Sequence, residues 1–311
     1  MKSKILITGG AGYIGSMLST KLVTEGYNVT VIDKITYEPR SLCHLFCFDN
    51  FQFIKADVTN KKFIKKIIKS FDIIIPLAAL VGAPLCDKHK TQAKKVNLEI
   101  IKFIVKNLSK NQKIIFTNSN SGYGIGDKQK FCDENSPLNP ISLYGKTKVE
   151  AEKYVMSFGN SISFRLATVF GYSYRMRTDL LLNNLTLIAL KKRKLEIFEP
   201  HFRRNFIHVK DVCDAIYFAI KNFNKLKNNI YNLGMSKANV TKLQLVNQIK
   251  KNVKNLKIVI LKNKKDPDKR DYFVSNKKIE KKGFIAKRNL NDGVKEMIKV
   301  YKMQREFLNN Y

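Results

Sequence analysis

The chain has 311 residues, 44% of them hydrophobic, enough to bury a sizeable core in one large α/β domain with a smaller lobe, or in two domains. Its 58 Lys and Arg against 25 Asp and Glu leave a formal charge of +33, a field that attracts polyanions such as RNA or an anionic surface. The excess is mostly lysine in short scattered runs (Lys61-Lys62, Lys191-Lys192), with no arginine-rich arm and no RNA-recognition motif, so solvated lysine faces are the better reading; nucleic acid is not expected, and no apolar run is long enough to insert in a membrane.

Met1 to Ile7 carries a basic flank and an apolar run, but enters a glycine turn too soon for a signal peptide. It reads as a first strand at Ile5-Leu6-Ile7, with nothing cleaved. The turn Gly9 to Gly15 opens a helix to Leu22, and Tyr27 to Ile32 is a second strand, a βαβ unit of the expected size. Apolar bursts at 51–54, 73–75 and 113–116, separated by helical patterns at 61–70 and 91–108, continue the alternation. A parallel, doubly wound sheet of Rossmann type follows, with its ligand at the carboxyl ends of the strands.

From about Thr147 a helix runs to Ser157, and 162–165 reads as a further strand. Beyond Phe170 the pattern is less regular: helices at 179–192 and after Asp211, a strand near 230–232, and an amphipathic stretch at 241–253. The expected division is a dinucleotide-binding domain at 1–170 and a substrate lobe at 171–311, with part of 206–234 returning to the first domain. Five cysteines, an odd number without a Cys-x-x-Cys pair or a His cluster, suit reduced thiols of a cytoplasmic protein and no metal site.

Gly9, Gly12 and Gly15 form G-x-x-G-x-x-G directly after the first strand. Such glycines allow a tight turn, close approach of the backbone to a pyrophosphate, and close packing of helix on strand. Asp33, at the end of the second strand, is placed to accept from ribose hydroxyls, which favours NAD over NADP; Lys34 and Arg40 nearby could accommodate a phosphate instead. Asp57 is either an adenine contact or a helix N-terminal carboxylate. Tyr144 and Lys148, four apart, share one helix face, and a nearby ammonium favours the phenolate a general base requires. Ser119, after the strand 113–116, could hold the reacting oxygen of a substrate. Together these residues point to hydride transfer with a nicotinamide.

Over nearly its whole length the chain resembles the extended short-chain dehydrogenases/reductases, the NAD-dependent epimerases and dehydratases of nucleotide sugars. The resemblance implies Ser119, Tyr144 and Lys148 as the catalytic set. It implies Gly9, Gly12, Tyr13, Ile14, Gly15, Asp33, Asp57, Leu77, Ala78, Ala79 and Asn97 as cofactor contacts, shared with Tyr144 and Lys148. For the substrate it implies Ser119, Ser121, Asn183, Arg204 and Arg270, with Arg204 gripping the diphosphate of a GDP- or UDP-linked sugar, and His208 as structural. A homodimer is expected. Stretches 77–84, 118–124 and 266–276 are similar to the GDP-heptose 4-dehydrogenases of capsule synthesis. The family's 4,6-dehydratases place Asp-Glu after the catalytic hydroxyl, where this chain has Asn120-Ser121; dehydration is therefore disfavoured, and a 4-dehydrogenase or 4-epimerase is expected, against the alternative of a non-catalytic binding protein for RNA or an anionic surface.

Overall fold

The computed structural model describes residues 2–126, 130–262 and 271–308. Twelve strands are found among them: β1 (Lys4–Thr8), β2 (Asn28–Asp33), β3 (Phe51–Lys55), β4 (Ile73–Pro76), β5 (Lys113–Ser119), β6 (Ser161–Leu166), β7 (Thr168–Phe170), β8 (Lys194–Ile197), β9 (Arg203–His208), β10 (Asn229–Leu233), β11 (Asn239–Thr241) and β12 (Lys257–Ile260). Seven make one sheet in the order β3-β2-β1-β4-β5-β6-β10, every pair parallel. The order reverses between β1 and β4, and the carboxyl ends of the strands at such a reversal are where a doubly wound sheet binds its ligand.

Residues of alternate parity feed the two faces of this sheet. Ile5 and Ile7 join Leu18, Leu22, Val212 and Ile216, so the helices Tyr13–Thr24 and Val209–Lys221 cover one face. Leu6, Ile74, Ile114 and Phe116 join Ile64, Ile104, Ala151 and Val155, so the helices Lys61–Ile67, Ile100–Asn107 and Leu143–Ser157 cover the other. A strand buried on both sides has no polar face to show, which is why these segments read as apolar bursts.

A second core gathers Leu182, Leu195, Phe206, Leu245, Val294 and Met297. Around it lie a three-stranded sheet in the order β11-β9-β7, a two-stranded parallel sheet β12-β8, and the helices Leu181–Lys192, Lys242–Lys250 and Leu290–Leu308. β10 pairs instead with β6, so the chain returns to the large sheet after building β9. Asn183 is fully buried between the two parts: its amide takes the Gly171 N–H at 3.1 Å and donates to the Tyr13 hydroxyl at 3.3 Å. Among the described residues no helix is long and apolar enough to cross a membrane, and no three His, Cys, Asp or Glu are grouped to hold a metal. None of the five cysteines is in a disulfide.

Candidate active site

The glycine turn sits where β1 ends. Gly9 has φ +72°, donates its N–H to the Ile32 carbonyl at 2.7 Å, and packs so that a Cβ would come 2.5 Å from the Ala78 nitrogen. A Cβ on Gly15 would lie 2.3 Å from the Gly9 carbonyl oxygen. Gly12 is the N-cap of the helix Tyr13–Thr24 and has no side chain with which to bond the first amides, including those of Tyr13 and Ile14. Uncapped amides at a helix start present donors and positive charge to an anion. The Tyr13 side chain turns the other way, donating to the Gly171 carbonyl at 2.7 Å.

Asp33 lies beside this turn. Its carboxylate accepts from the Ala11 N–H at 3.1 Å and the Ile35 N–H at 2.8 Å. The two basic neighbours are occupied elsewhere: Lys34 lies 3.9 Å from Asp57, and Arg40 3.4 Å from Glu38. Asp57 accepts from the Thr59 N–H and hydroxyl at 2.8 and 2.7 Å, and that backbone hydrogen bond holds its carboxyl below the usual range. The N-cap of the next helix is Asn60, so Asp57 is not that helix's cap. Leu77, Ala78 and Ala79 follow β4 as half-buried backbone against the glycine turn. Asn97, on a π-helical turn Lys95–Glu99, pins their continuation by accepting from the Leu80 N–H at 2.8 Å and donating to its carbonyl at 2.9 Å.

Ser119 is the last residue of β5. Its Oγ accepts from the Ser121 N–H at 3.2 Å and from the Ser121 hydroxyl at 3.0 Å, which leaves its own proton to be donated. Asn118 and Asn120 flank it, both about 3% exposed. The Asn118 Nδ2 and both polar atoms of the Asn120 amide have no hydrogen-bond partner among the described residues. Buried polar groups in that condition cost stability until something pairs with them, so this corner suits a polar ligand.

The helix carrying Tyr144 starts at Leu143, four residues earlier than the pattern predicts, because the Ser142 Oγ accepts from the Gly145 N–H at 3.2 Å. Tyr144 therefore stands in the first turn, partly exposed, and Lys148 one turn deeper at 5% exposure. The Lys148 Nζ lies 4.0 Å from the centre of the Phe116 ring on β5. Burial pushes its ammonium down to about 7, and Glu152, one turn further along, opposes that shift.

Glu152 belongs to a buried network. The Arg165 guanidinium on β6 donates to it at 2.8 and 3.0 Å, the Ser163 hydroxyl at 2.7 Å. Arg165 also donates to the Tyr123 hydroxyl at 3.2 Å, and Tyr123 closes the turn Asn120–Tyr123 that follows Ser119. One guanidinium thus ties the serine loop to the tyrosine helix. Sequence reasoning missed this, since the partners lie on separate elements. It also missed Arg175 and Arg177, although a visible signal existed: the chain has only ten arginines beside 48 lysines, and these two flank one methionine.

The large sheet brings together the glycine turn, Asp33, Leu77–Ala79, Ser119, Ser121, Tyr144 and Lys148. The Asn183 amide does not reach into the crevice as a substrate contact would, because both its ends are spent on Gly171, Tyr13 and the Arg177 carbonyl. Arg204, on β9, is 6% exposed in the second part, beside Arg203, which pairs with Asp271 at 2.8 Å. His208 is a structural residue: it bonds Glu296 at 2.7 Å and packs against Gly171. Arg270 lies outside the described residues.

The profile of the NAD dependent epimerase/dehydratase family matches residues 5–234. A putative UDP-glucose 4-epimerase of Methanocaldococcus jannaschii is 25% identical over 305 residues, 94% of this chain and 97% of its own. The dTDP-D-glucose 4,6-dehydratase of Homo sapiens is 25% identical over 320 residues, 96% of this chain and 90% of its own. The crystal structure of UDP-glucuronic acid 4-epimerase from Bacillus cereus, in complex with UDP-glucuronic acid and NAD, shares the fold, with a TM-score of 0.85 at 23% identity over 97% of this chain and 99% of that one. With the family profile matching well over half of its length, the chain belongs to the NAD-dependent epimerase/dehydratase family of extended short-chain dehydrogenases/reductases, and its cofactor is NAD.

Proposed function

We propose that the protein oxidises a hydroxyl of a nucleoside-diphosphate sugar, at C4, and either releases the 4-keto product or takes the hydride back on the other face as an epimerase. The observation that carries this reading is that Lys148, one helical turn after Tyr144, lies 4.0 Å from the Phe116 ring of β5, the strand that Ser119 ends, while the glycine turn follows β1 of the same sheet. The Gly9 and Gly15 cradle and the amides of Tyr13 and Ile14 suit the pyrophosphate of NAD, and Asp33 its ribose. When bound, NAD supplies the acceptor for the hydride that leaves the sugar carbon.

The chain's own residues manage the proton. Tyr144 as phenolate takes the proton of the sugar hydroxyl, and its oxygen becomes the carbonyl. Ser119, whose Oγ already accepts twice, donates its proton to that same oxygen. The Lys148 ammonium favours the phenolate electrostatically. The second core, with Arg204, takes the nucleoside diphosphate, a guanidinium fork being suited to phosphate oxygens.

Asn120 and Ser121 stand where a dehydratase would need carboxyl groups to move protons in eliminating water. An amide cannot perform that transfer, which favours oxidation or epimerisation over dehydration. The test is incubation with a panel of UDP-, GDP- and CDP-sugars, followed by mass spectrometry and NMR of the products. Loss of two hydrogens identifies a dehydrogenase, and unchanged mass with an inverted C4 identifies an epimerase. Loss of water would overturn the argument from Asn120 and Ser121.

A further inference from the structure

The segment after β7 lies along the start of the first helix and against the loop after β2. The Ser173 hydroxyl, fully buried, donates to the Tyr13 carbonyl at 2.6 Å and lies 3.1 Å from the Ser16 hydroxyl; the Tyr13 hydroxyl donates to the Gly171 carbonyl. Next, Tyr174 stacks on His44 with ring centres 4.1 Å apart, and the Arg175 guanidinium lies 4.2 Å over the Tyr37 ring, both partners belonging to the loop after β2. The Asn183 amide then holds the Arg177 carbonyl at 2.9 Å. Residues 171–177 are therefore stitched to the helix that opens from the glycine turn and to the loop beyond Asp33.

The two guanidiniums have different neighbours. Arg175 is within electrostatic reach of Asp33, Arg177 of Tyr13 and Tyr144. They are also within reach of each other: burial pushes the Arg175 guanidinium down, and Arg177 adds to it. The carboxylates near them are already engaged. Asp179 is taken by one edge of Arg177, through its Nε at 3.1 Å and its Nη2, and Asp33 by the amides of Ala11 and Ile35. A guanidinium has five donors, so the Nη1 side of Arg177 remains for a ligand. Two like charges on one short segment, one within electrostatic reach of Asp33 and the other of Tyr144, suit a group with two negative charges.

We propose that residues 171–179 form a strap over the dinucleotide, and that Arg175 and Arg177 bind its diphosphate from the side opposite the glycine turn, so that NAD stays on the protein between turnovers. The inference rests on Asp33 and Tyr144 marking the ribose and nicotinamide ends, and does not depend on which sugar is oxidised. Charge-assisted, forked hydrogen bonds to phosphate are among the stronger contacts available to a side chain.

The full chain, stripped of nucleotide, is titrated with NADH, ADP-ribose and adenosine. Arg175→Gln and Arg177→Gln should each weaken NADH and ADP-ribose about 10-fold, and the double variant about 100-fold, with adenosine unchanged. The affinity of the double variant should also depend less on salt. Asp179→Asn, which releases Arg177 from its carboxylate and removes no cation, should tighten ADP-ribose; it keeps the test decisive if an arginine variant folds poorly. NADH and ADP-ribose affinities within two-fold of the parent would overturn the strap. So would intact cofactor affinity with a raised KM for the nucleotide sugar, which would give the arginines to the substrate, or weakened ADP-ribose binding in Asp179→Asn.

Discussion

The glycine turn and the tyrosine corner sit at the same edge of one sheet, yet they are held by opposite means. At the turn, backbone packs on backbone: a Cβ at Gly9 or Gly15 would come within 2.5 or 2.3 Å of main-chain atoms. Side chains brace the turn at Ala11, whose N–H donates to Asp33 and whose carbonyl accepts from Ser41, but at the glycines this end is intolerant of a single added carbon. At the corner, side chains do the holding. Glu152 and Arg165, both about 4% exposed or less, meet at 2.8 Å, and Arg165 reaches on to Tyr123. This end is intolerant of a lost partner. On the proposed function, the difference teaches where each part of the reaction is vulnerable: cofactor seating to volume, proton transfer to charge.

The sharpest way to break the comparison is Arg165→Met, which leaves buried Glu152 without its guanidinium and with only the Ser163 hydroxyl bonded to it. Chemical denaturation should show a loss of about 3–5 kcal/mol. Adding Glu152→Met in the same chain should return most of that stability, since a buried pair replaced by apolar groups is close to neutral. Turnover should stay low in the double variant, because the serine loop and the tyrosine helix are no longer tied. A double variant as unstable as the single one would show that the corner is held by packing volume, as the turn is.

Lys148 gives the next largest effect, with a pH signature. Burial puts its folded value at about 7 in the NAD-free protein, below the ordinary lysine value of 10.5. Between those values the unfolded chain holds the proton and the folded chain does not, so stability rises with pH across that window. Below it the buried ammonium imposes its full cost. Lys148→Met should therefore stabilise the NAD-free protein at pH 6 by roughly 2–4 kcal/mol, and the gain should shrink toward pH 10. A gain independent of pH would mean that Lys148 is not desolvated.

At the turn, Gly15→Ala should cost about 1–3 kcal/mol, as overpacking does, and weaken NAD binding with it. Thermal melting and NADH titration check both, and an alanine variant with parental NADH affinity would remove the steric account. The smallest effect serves as the contrast: Lys34→Ala, which removes a half-exposed partner 3.9 Å from Asp57, should stay within about 0.5 kcal/mol by denaturation.

The same division decides what could be read from the sequence. The turn, β1 and β2 were legible because glycine spacing and apolar runs are local signals. The start of the tyrosine helix was not, since it depends on the Ser142 cap and not on periodicity. The small sheets were missed for a different reason: β8 pairs with β12, Lys194 facing Lys257, and nothing near either segment names a partner 63 residues away. Asn183 was placed at the substrate by resemblance, whereas its burial assigns its amide to joining the two parts. For Asp57 the local pattern fits both an adenine contact and a helix N-terminal carboxylate, and the structure places it three residues ahead of the Asn60 cap, accepting from Thr59.

The central claim is that Tyr144 takes the proton of a sugar hydroxyl. Its most direct test is Tyr144→Phe in a single turnover, following nicotinamide absorbance after mixing the NAD-loaded variant with a nucleotide sugar the parent oxidises. The variant should bind NAD as the parent does and reduce it about 10²–10⁴ times more slowly. Reduction at the parental rate, with NAD fully bound, would contradict the account.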